Sequence, residues 1–277
     1  MRIEITTDAA EFRARTESFL LRDPLRHTVI TSSVAGHIAG LVSGTSTPRF
    51  LSLHAEDGAV AGVAMRVQDR DVYLGELPHK GAGEVADALA EVEPEAAGVE
   101  GLVGDATEFA ERWSARFDIG FHESYRARLY RLGVLRVPDV PGALRRATES
   151  DTELCLEWSE AMYADGGMTW LPTESDTIRR RVGAGQLWFW ERDGQPVSLA
   201  AHQIPVYKWS RIGLVYTPSA LRGRGYASAV TAGLAQDLRS DGLDVCLFAD
   251  VANRTAGKIY QAIGFHPTHE FVHHTFG

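Results

Sequence analysis

The chain has 277 residues, 44% of them hydrophobic, and a formal net charge of −9 at pH 7. That length suits two ordinary domains, with apolar residues enough for a sizeable core. The acidic balance argues against a general nucleic-acid binder, which needs a basic face, and is compatible with a cationic or amine-bearing partner. No apolar run approaches membrane-spanning length, and Met1 leads directly into an alternating strand, Arg2-Ile3-Glu4-Ile5, so a cytoplasmic protein without membrane attachment is expected. Cys155 and Cys246 read as buried free thiols, since two cysteines in a chain this size make no disulfide framework.

In chain order, Thr7 or Asp8 caps a helix running through Phe12, Phe19 and Leu20. Pro24 to Leu41 is mainly helical and Gly40 to Pro48 a loop. Phe50 to Val67 reads as a hairpin about Asp57-Gly58, and Asp71 to Leu77 as a strand stopped by Pro78. A helix (Gly83 to Val92), a strand (Gly98 to Val103), a helix (Ala106 to Phe117) and a strand (Tyr125 to Leu132) follow. Val137 to Gly142, rich in Pro, is a connector. The second half repeats the order: helices Asp151 to Met162 and Glu174 to Val182, then a hairpin about Asp193-Gly194. The strand Ile212 to Thr217 ends at Pro218, and a helix is closed by Asp241-Gly242. Last come the strand Leu243 to Asp250, the helix Thr255 to Ile263 and the strand Glu270 to Phe276. This reads as a tandem α+β repeat of three-layer α/β/α type, residues 1–136 and 143–277, each a mixed, mostly antiparallel sheet flanked by helices.

The most informative stretch runs from Val215 to Ser228. An apolar strand end, Val215-Tyr216-Thr217, is halted by Pro218; Ala227, Val230, Leu234 and Leu238 then share one helical face. Between them, Arg222-Gly223-Arg224-Gly225-Tyr226 places two glycines before a helix start. There the first N–H groups lack partners and carry partial positive charge, which makes a phosphate cradle. Arg222-x-x-Gly225-x-Ala227 after that strand resembles the acetyl-coenzyme A signature of the GNAT superfamily of N-acetyltransferases. Asn253 followed by Ala256, Tyr260 and Gly264-Phe265 resembles the family's later block, in the same order and spacing.

The resemblance implies that backbone groups of Gly223 to Ser228, with Arg222, hold the pyrophosphate of an acyl-CoA, with acetyl-CoA the expected cosubstrate. It implies that Val215, Tyr216 and Thr217 pair with the pantetheine amides, that Asn253 bonds the same arm, and that Tyr260 protonates the departing thiolate. Asn253 can also serve as a helix cap, and the alternative for Tyr260, whose spacing from Asn253 favours the functional role, is a core tyrosine beside Ile259 and Ile263. Many relatives carry a glutamate on the strand before the cradle; here Arg211 to Val215 offers no carboxylate, leaving Asp250, Glu191, His202 or a water chain as base. Met162 to Trp170, aromatic and flexible with one acid, has the composition of an acceptor loop or of an ordinary packed one. Trp188, Trp190 and Trp209 fit either a pocket or the core.

Counted from Pro78, residues Ala82, Val85 and Asp87 stand where Arg222, Gly225 and Ala227 stand after Pro218, so the first copy lacks the signature. His266, His269, His273 and His274 cluster near the C-terminus, but neighbouring strand residues point to opposite faces, and no metal is expected. The chain is thus read as an acetyl-CoA-dependent N-acyltransferase acting on an amine, or alternatively as a non-catalytic acyl-CoA sensor. Small metabolites, antibiotic amines and protein amines all stay open as acceptors, and the oligomeric state is not fixed.

Overall fold

The computed structural model describes residues 1–42, 47–67, 71–166 and 172–277, the side chains of Pro172 and Thr173 excepted. The first half runs β1 (Arg2–Thr6), α1 (Ala9–Leu20), α2 (Thr28–Ile38), β2 (Arg49–His54), β3 (Val60–Arg66), β4 (Val72–Leu74), α3 (Gly81–Val92), β5 (Gly98–Leu102), α4 (Val103–Phe117) and β6 (Phe121–Leu132). The second runs β7 (Ala143–Arg146), α5 (Thr152–Asp165), α6 (Pro172–Gly183), β8 (Leu187–Arg192), β9 (Gln195–His202), β10 (Trp209–Tyr216), α7 (Tyr226–Ser240), β11 (Asp244–Asp250), α8 (Arg254–Ala262) and β12 (Phe265–Phe276). The order repeats element by element. Local chemistry explains many boundaries: Asp8 caps α1 by accepting from the N–H groups of Ala10 and Glu11 at 2.7 and 3.1 Å. Gly58 and Gly194 turn the two hairpins at positive φ. Strand β7 has no counterpart in the sequence reading, because four residues carry too little alternation to register.

The two halves share one mixed, mostly antiparallel sheet of 12 strands, in the order β1-β2-β3-β4-β5-β12-β6-β11-β10-β9-β8-β7. Among the described residues only β4–β5 and β10–β11 are parallel pairs. The order is symmetric about its centre, and the last strand of each half has crossed over. β6 lies between β11 and β12, and β12 lies between β5 and β6. These strands pair with each other from Phe121↔Phe276 to Leu132↔Phe265, which accounts for their lengths of 12 residues.

Alternation on the strands sorts the cores. On β8, Leu187 and Phe189 pack with Cys155 and Trp158 of α5, while Trp188 and Trp190 pack with α7. A third cluster joins the halves: Phe12, Phe19, Ile30 and Phe50 of the first pack with Cys246 and Phe271 of the second. Polar ties cross the same seam. Arg211 Nη2 donates to Ser32 Oγ at 3.0 Å, and Tyr207 Oη to Glu17 at 3.3 Å. Among the described residues no helix is long and apolar enough to cross a membrane.

A chain of residues 143–277 alone lacks β6, so β11 and β12 would each expose an unpaired edge. Size-exclusion chromatography and far-UV circular dichroism are expected to show aggregation, or self-association through β12. A folded, monomeric fragment would show that the exchanged strand is dispensable.

Candidate functional site

The expected cradle lies at the head of α7. Gly223 and Gly225 have φ of +77° and +82°, the left-handed region where a side chain is strained. A Cβ on Gly223 would meet nothing within 4 Å; one on Gly225 would lie 2.9 Å from Val140 in the connector. Leu221 and Arg222 donate their N–H groups to Pro218 and Ser219, and Ala229 begins the helical ladder by donating to Gly225. Among the described residues no acceptor meets the N–H groups of Gly223 to Ser228, and Gly225 as N-cap supplies no side chain. This open concavity carries the positive end of a 15-residue helix.

The side chains around it are partly committed. Arg222 Nε donates to Thr217 O at 2.9 Å, and its Nη2 pairs with Asp165 at the end of α5. Tyr226 turns its ring into the core, and its hydroxyl accepts from Arg192 at 2.9 Å. Arg192, on β8, is a cation that sequence reasoning missed, because only the fold brings it to the head of α7. Ala227 and Ser228, half-buried, offer the site their backbone.

Beside the cradle, β10 and β11 part. Their ladder covers only Trp209↔Asp244 to Ile212↔Leu247. Leu214 then takes φ +58°, and the register with β9 shifts between Gly213 and Tyr216. A left-handed leucine is strained, and such bulges re-aim backbone groups. Val215 and Tyr216 therefore line a cleft open toward β11. The Tyr216 carbonyl accepts from Ser198 Oγ at 2.9 Å, and the Thr217 hydroxyl shares a 2.9 Å contact with the same oxygen, so the strand end is fixed from the β9 side.

Asn253 caps α8, its Oδ1 accepting from Ala256 N at 3.0 Å. Tyr260 is buried, its ring 6.2 Å from Phe265 and 6.5 Å from Tyr130 of β6, and burial pushes its hydroxyl up to about 12. It is a core tyrosine whose hydroxyl keeps its proton at neutral pH. The expected bases fare differently. Glu191 is held by Arg145 at 2.5 Å, and His202 lies opposite Ile212 on the α7 side, kept neutral by burial with Nδ1 2.9 Å from Gln203 O. Asp250 is exposed and caps a turn through Ala252 N at 2.8 Å. Gly167 to Trp170 of the expected acceptor loop lie outside the described residues. Trp188 and Trp190 are core residues, and Trp209 packs at the seam. Cys155 and Cys246 are buried free thiols, pushed by burial up to about 12 and about 11. The histidines disperse: His273 Nε2 meets Asp71 at 2.6 Å while His274 reaches Thr107 at 3.3 Å, and no metal-holding group forms among the described residues.

The first half differs more than counting from its proline implies. Two residues, His79 and Lys80, separate Pro78 from α3, where seven, Ser219 to Gly225, separate Pro218 from α7. Lys80, at φ +62°, therefore occupies the place of Gly225, and Ala82 and Val85 are core residues within the helix. Asp87 does not flank the helix head; it pairs with Arg112 at 2.7 and 2.8 Å. The carboxylate at the head is Glu108 of α4, which accepts from Gly83 N at 3.1 Å. An internal anion thus fills the place open in the second half.

Residues 191–272 match the family described as FR47-like protein. None of the curated proteins matches in sequence. Solved structures match along the chain. A GNAT-family acetyltransferase from Colwellia psychrerythraea is 12% identical at TM-score 0.63, with 100% of both chains covered. A Drosophila protein is 11% identical at TM-score 0.72, covering 99% of this chain and 98% of its own. A tandem GNAT protein from the clavulanic acid biosynthesis pathway is 12% identical at TM-score 0.59, with 99% and 98% covered. The chain has the tandem GNAT fold.

Gly225→Ala should lose about 1–2 kcal/mol of stability in urea unfolding, from left-handed strain and the Val140 contact together. Lys80→Gly, at the matching helix head, should be neutral or stabilising by up to about 1 kcal/mol. Equal effects of the two would show that the left-handed turns are not strained as described.

Proposed function

We propose that the chain is an acyltransferase that takes the acyl group of acetyl-CoA at the head of α7 and delivers it directly to an amine. The carrying observation is the pair of left-handed glycines, Gly223 and Gly225, opening a row of unpartnered N–H groups beside the parted strands β10 and β11. A pyrophosphate suits that cradle because the helix start supplies both donors and field. Arg222 and Arg224 add charge, and Arg222 can exchange Asp165 for phosphate oxygen. The pantetheine arm fits the cleft at Val215, Tyr216 and Thr217, with Asn253 at its far end. In this reading residues 143–277 carry the donor site, and residues 1–136 are a copy whose cradle is closed by Glu108.

The chemistry follows from the groups present. A neutral amine forms the C–N bond at the thioester carbon and the C–S bond breaks. A free thiol titrates near 8.5, well below the Tyr260 hydroxyl. Tyr260 therefore serves mainly by hydrogen-bonding the charge that develops on sulfur, and a proton that it gives is replaced from the nitrogen. The strand Arg211 to Val215, which offers no carboxylate although many relatives carry a glutamate there, favours a second reading: a sensor that binds acyl-CoA without turning it over.

Calorimetric titration with acetyl-CoA is expected to show one site per chain, abolished by Arg222→Glu with Gly225→Glu. Two sites would reinstate the first half as a binder, and no binding would overturn the assignment. Tyr260→Phe should lower turnover about 100-fold at unchanged acetyl-CoA affinity. Binding with no turnover in the parent protein would favour the sensor.

A further inference from the structure

Resting on the acyltransferase reading, we propose that the acceptor amine of the second half is received and deprotonated by a carboxylate of the first half, Glu100. The base missing from β10 is then supplied across the seam. Glu100, on β5, lies in register with Tyr73 on β4 and with His273 on β12, and His273 with Tyr125 on β6. Residues directly opposite share a face, so the four side chains form one row. Tyr125 Oη donates to Glu100 Oε2 at 3.0 Å and its ring stacks on His273 at 4.8 Å; His273 Nε2 is in turn held by Asp71 at 2.6 Å. Tyr125 is 40% exposed, so the row reaches the surface at its Tyr125 end, while Tyr73 and His273 are buried.

Aromatic contacts run from this row to the cleft. Tyr73 stacks on Phe271 at 6.1 Å, Phe271 meets Phe248 of β11 edge-on at 5.3 Å, and the Arg211 guanidinium stands 5.8 Å over Phe248. Phe248 lies on β11 just beyond the point where β10 leaves it. The Tyr73 hydroxyl is buried with no hydrogen-bond partner among the described residues. Apolar rings leading to a carboxylate suit an amine on an aromatic or aliphatic body.

The electrostatics fit the role. Burial raises the Glu100 carboxyl above the ordinary carboxylate range, toward the region useful for a base, with Asp71 acting in the same direction. The Tyr125 hydrogen bond, then His273 and Arg211, oppose this and favour the ionised form. Arg211 also disfavours a second cation nearby, which eases loss of the ammonium proton. In the step, R–NH3+ passes one proton to the Glu100 carboxylate and the neutral nitrogen attacks the thioester carbon. The nitrogen's second proton balances the departing thiolate.

Tyramine serves as the probe amine. The acetyl-CoA affinity of Glu100→Gln should match that of the parent protein, and its melting temperature should be retained. Its turnover, read as free thiol released, should fall about 100-fold, with the acid limb of the pH profile removed. Glu100→Asp should recover part of the rate. Tyr125→Phe should move that limb to higher pH, because it removes a bond that favours ionisation. Tyramine binding to CoA-saturated protein should weaken at least tenfold in Glu100→Gln. Equal tyramine affinity and an unchanged profile, or no tyramine affinity in either protein, would overturn the assignment of Glu100. Absence of acetyl-CoA binding in the parent protein would instead overturn the acyltransferase reading.

Discussion

β6 and β12 bear the greatest structural demand. Each pairs along its length with the other, and each also completes the sheet of the opposite half. Backbone hydrogen-bonding groups in the middle of a sheet must be satisfied there. Neither half can satisfy them alone, so the repeat behaves as a pair whose last strands are shared, in the manner of a strand-exchanged dimer written in one chain. The packing agrees. The cluster at the seam draws phenylalanines from both halves, and Tyr130 of β6 lies beside Tyr260 of α8.

The exchange gives the first half work even where its own cradle is closed. In the second half the anion place at a helix head is open; in the first, Glu108 occupies it and the connecting loop is five residues shorter. A helix start filled by an internal carboxylate is satisfied and has little left for a phosphate. What the first half retains is structural and lateral: a strand against β11, side chains facing the seam, and helices α1 and α2 over the shared core.

Much of this could be read in the sequence, for physical reasons. Glycines at 223 and 225 are legible because only glycine enters left-handed turns freely, and the Asp-Gly hairpins for the same reason. The repeated order of elements survives because hydrophobic periodicity is local. Strand exchange has no local signature, since β6 and β12 would look the same paired at home or abroad. The Arg192 contact with Tyr226 and the Glu108 contact with Gly83 were invisible because each joins residues about 25 or more apart in the chain. Counting from Pro78 misplaced Asp87 because the deletion in the loop leaves no mark in a single sequence.

The absent carboxylate on β10 looks different once the seam is considered. In a lone unit, a base would come from that unit's own groups or a water chain, and a strand Arg211 to Val215 without a carboxylate would argue against catalysis. In a shared sheet the same face continues through β11, β6 and β12 to β5, four strand spacings or about 19 Å from β10. The side chains of Tyr73, Phe271, Phe248 and Arg211, in contact along that face, span the strands between. A cation at 211 then belongs to the proposed arrangement, since it stands over Phe248 and opposes the effect of burial on the Glu100 carboxyl. In the proposed reading, duplication with strand exchange lets one half hold the donor while the other faces the acceptor.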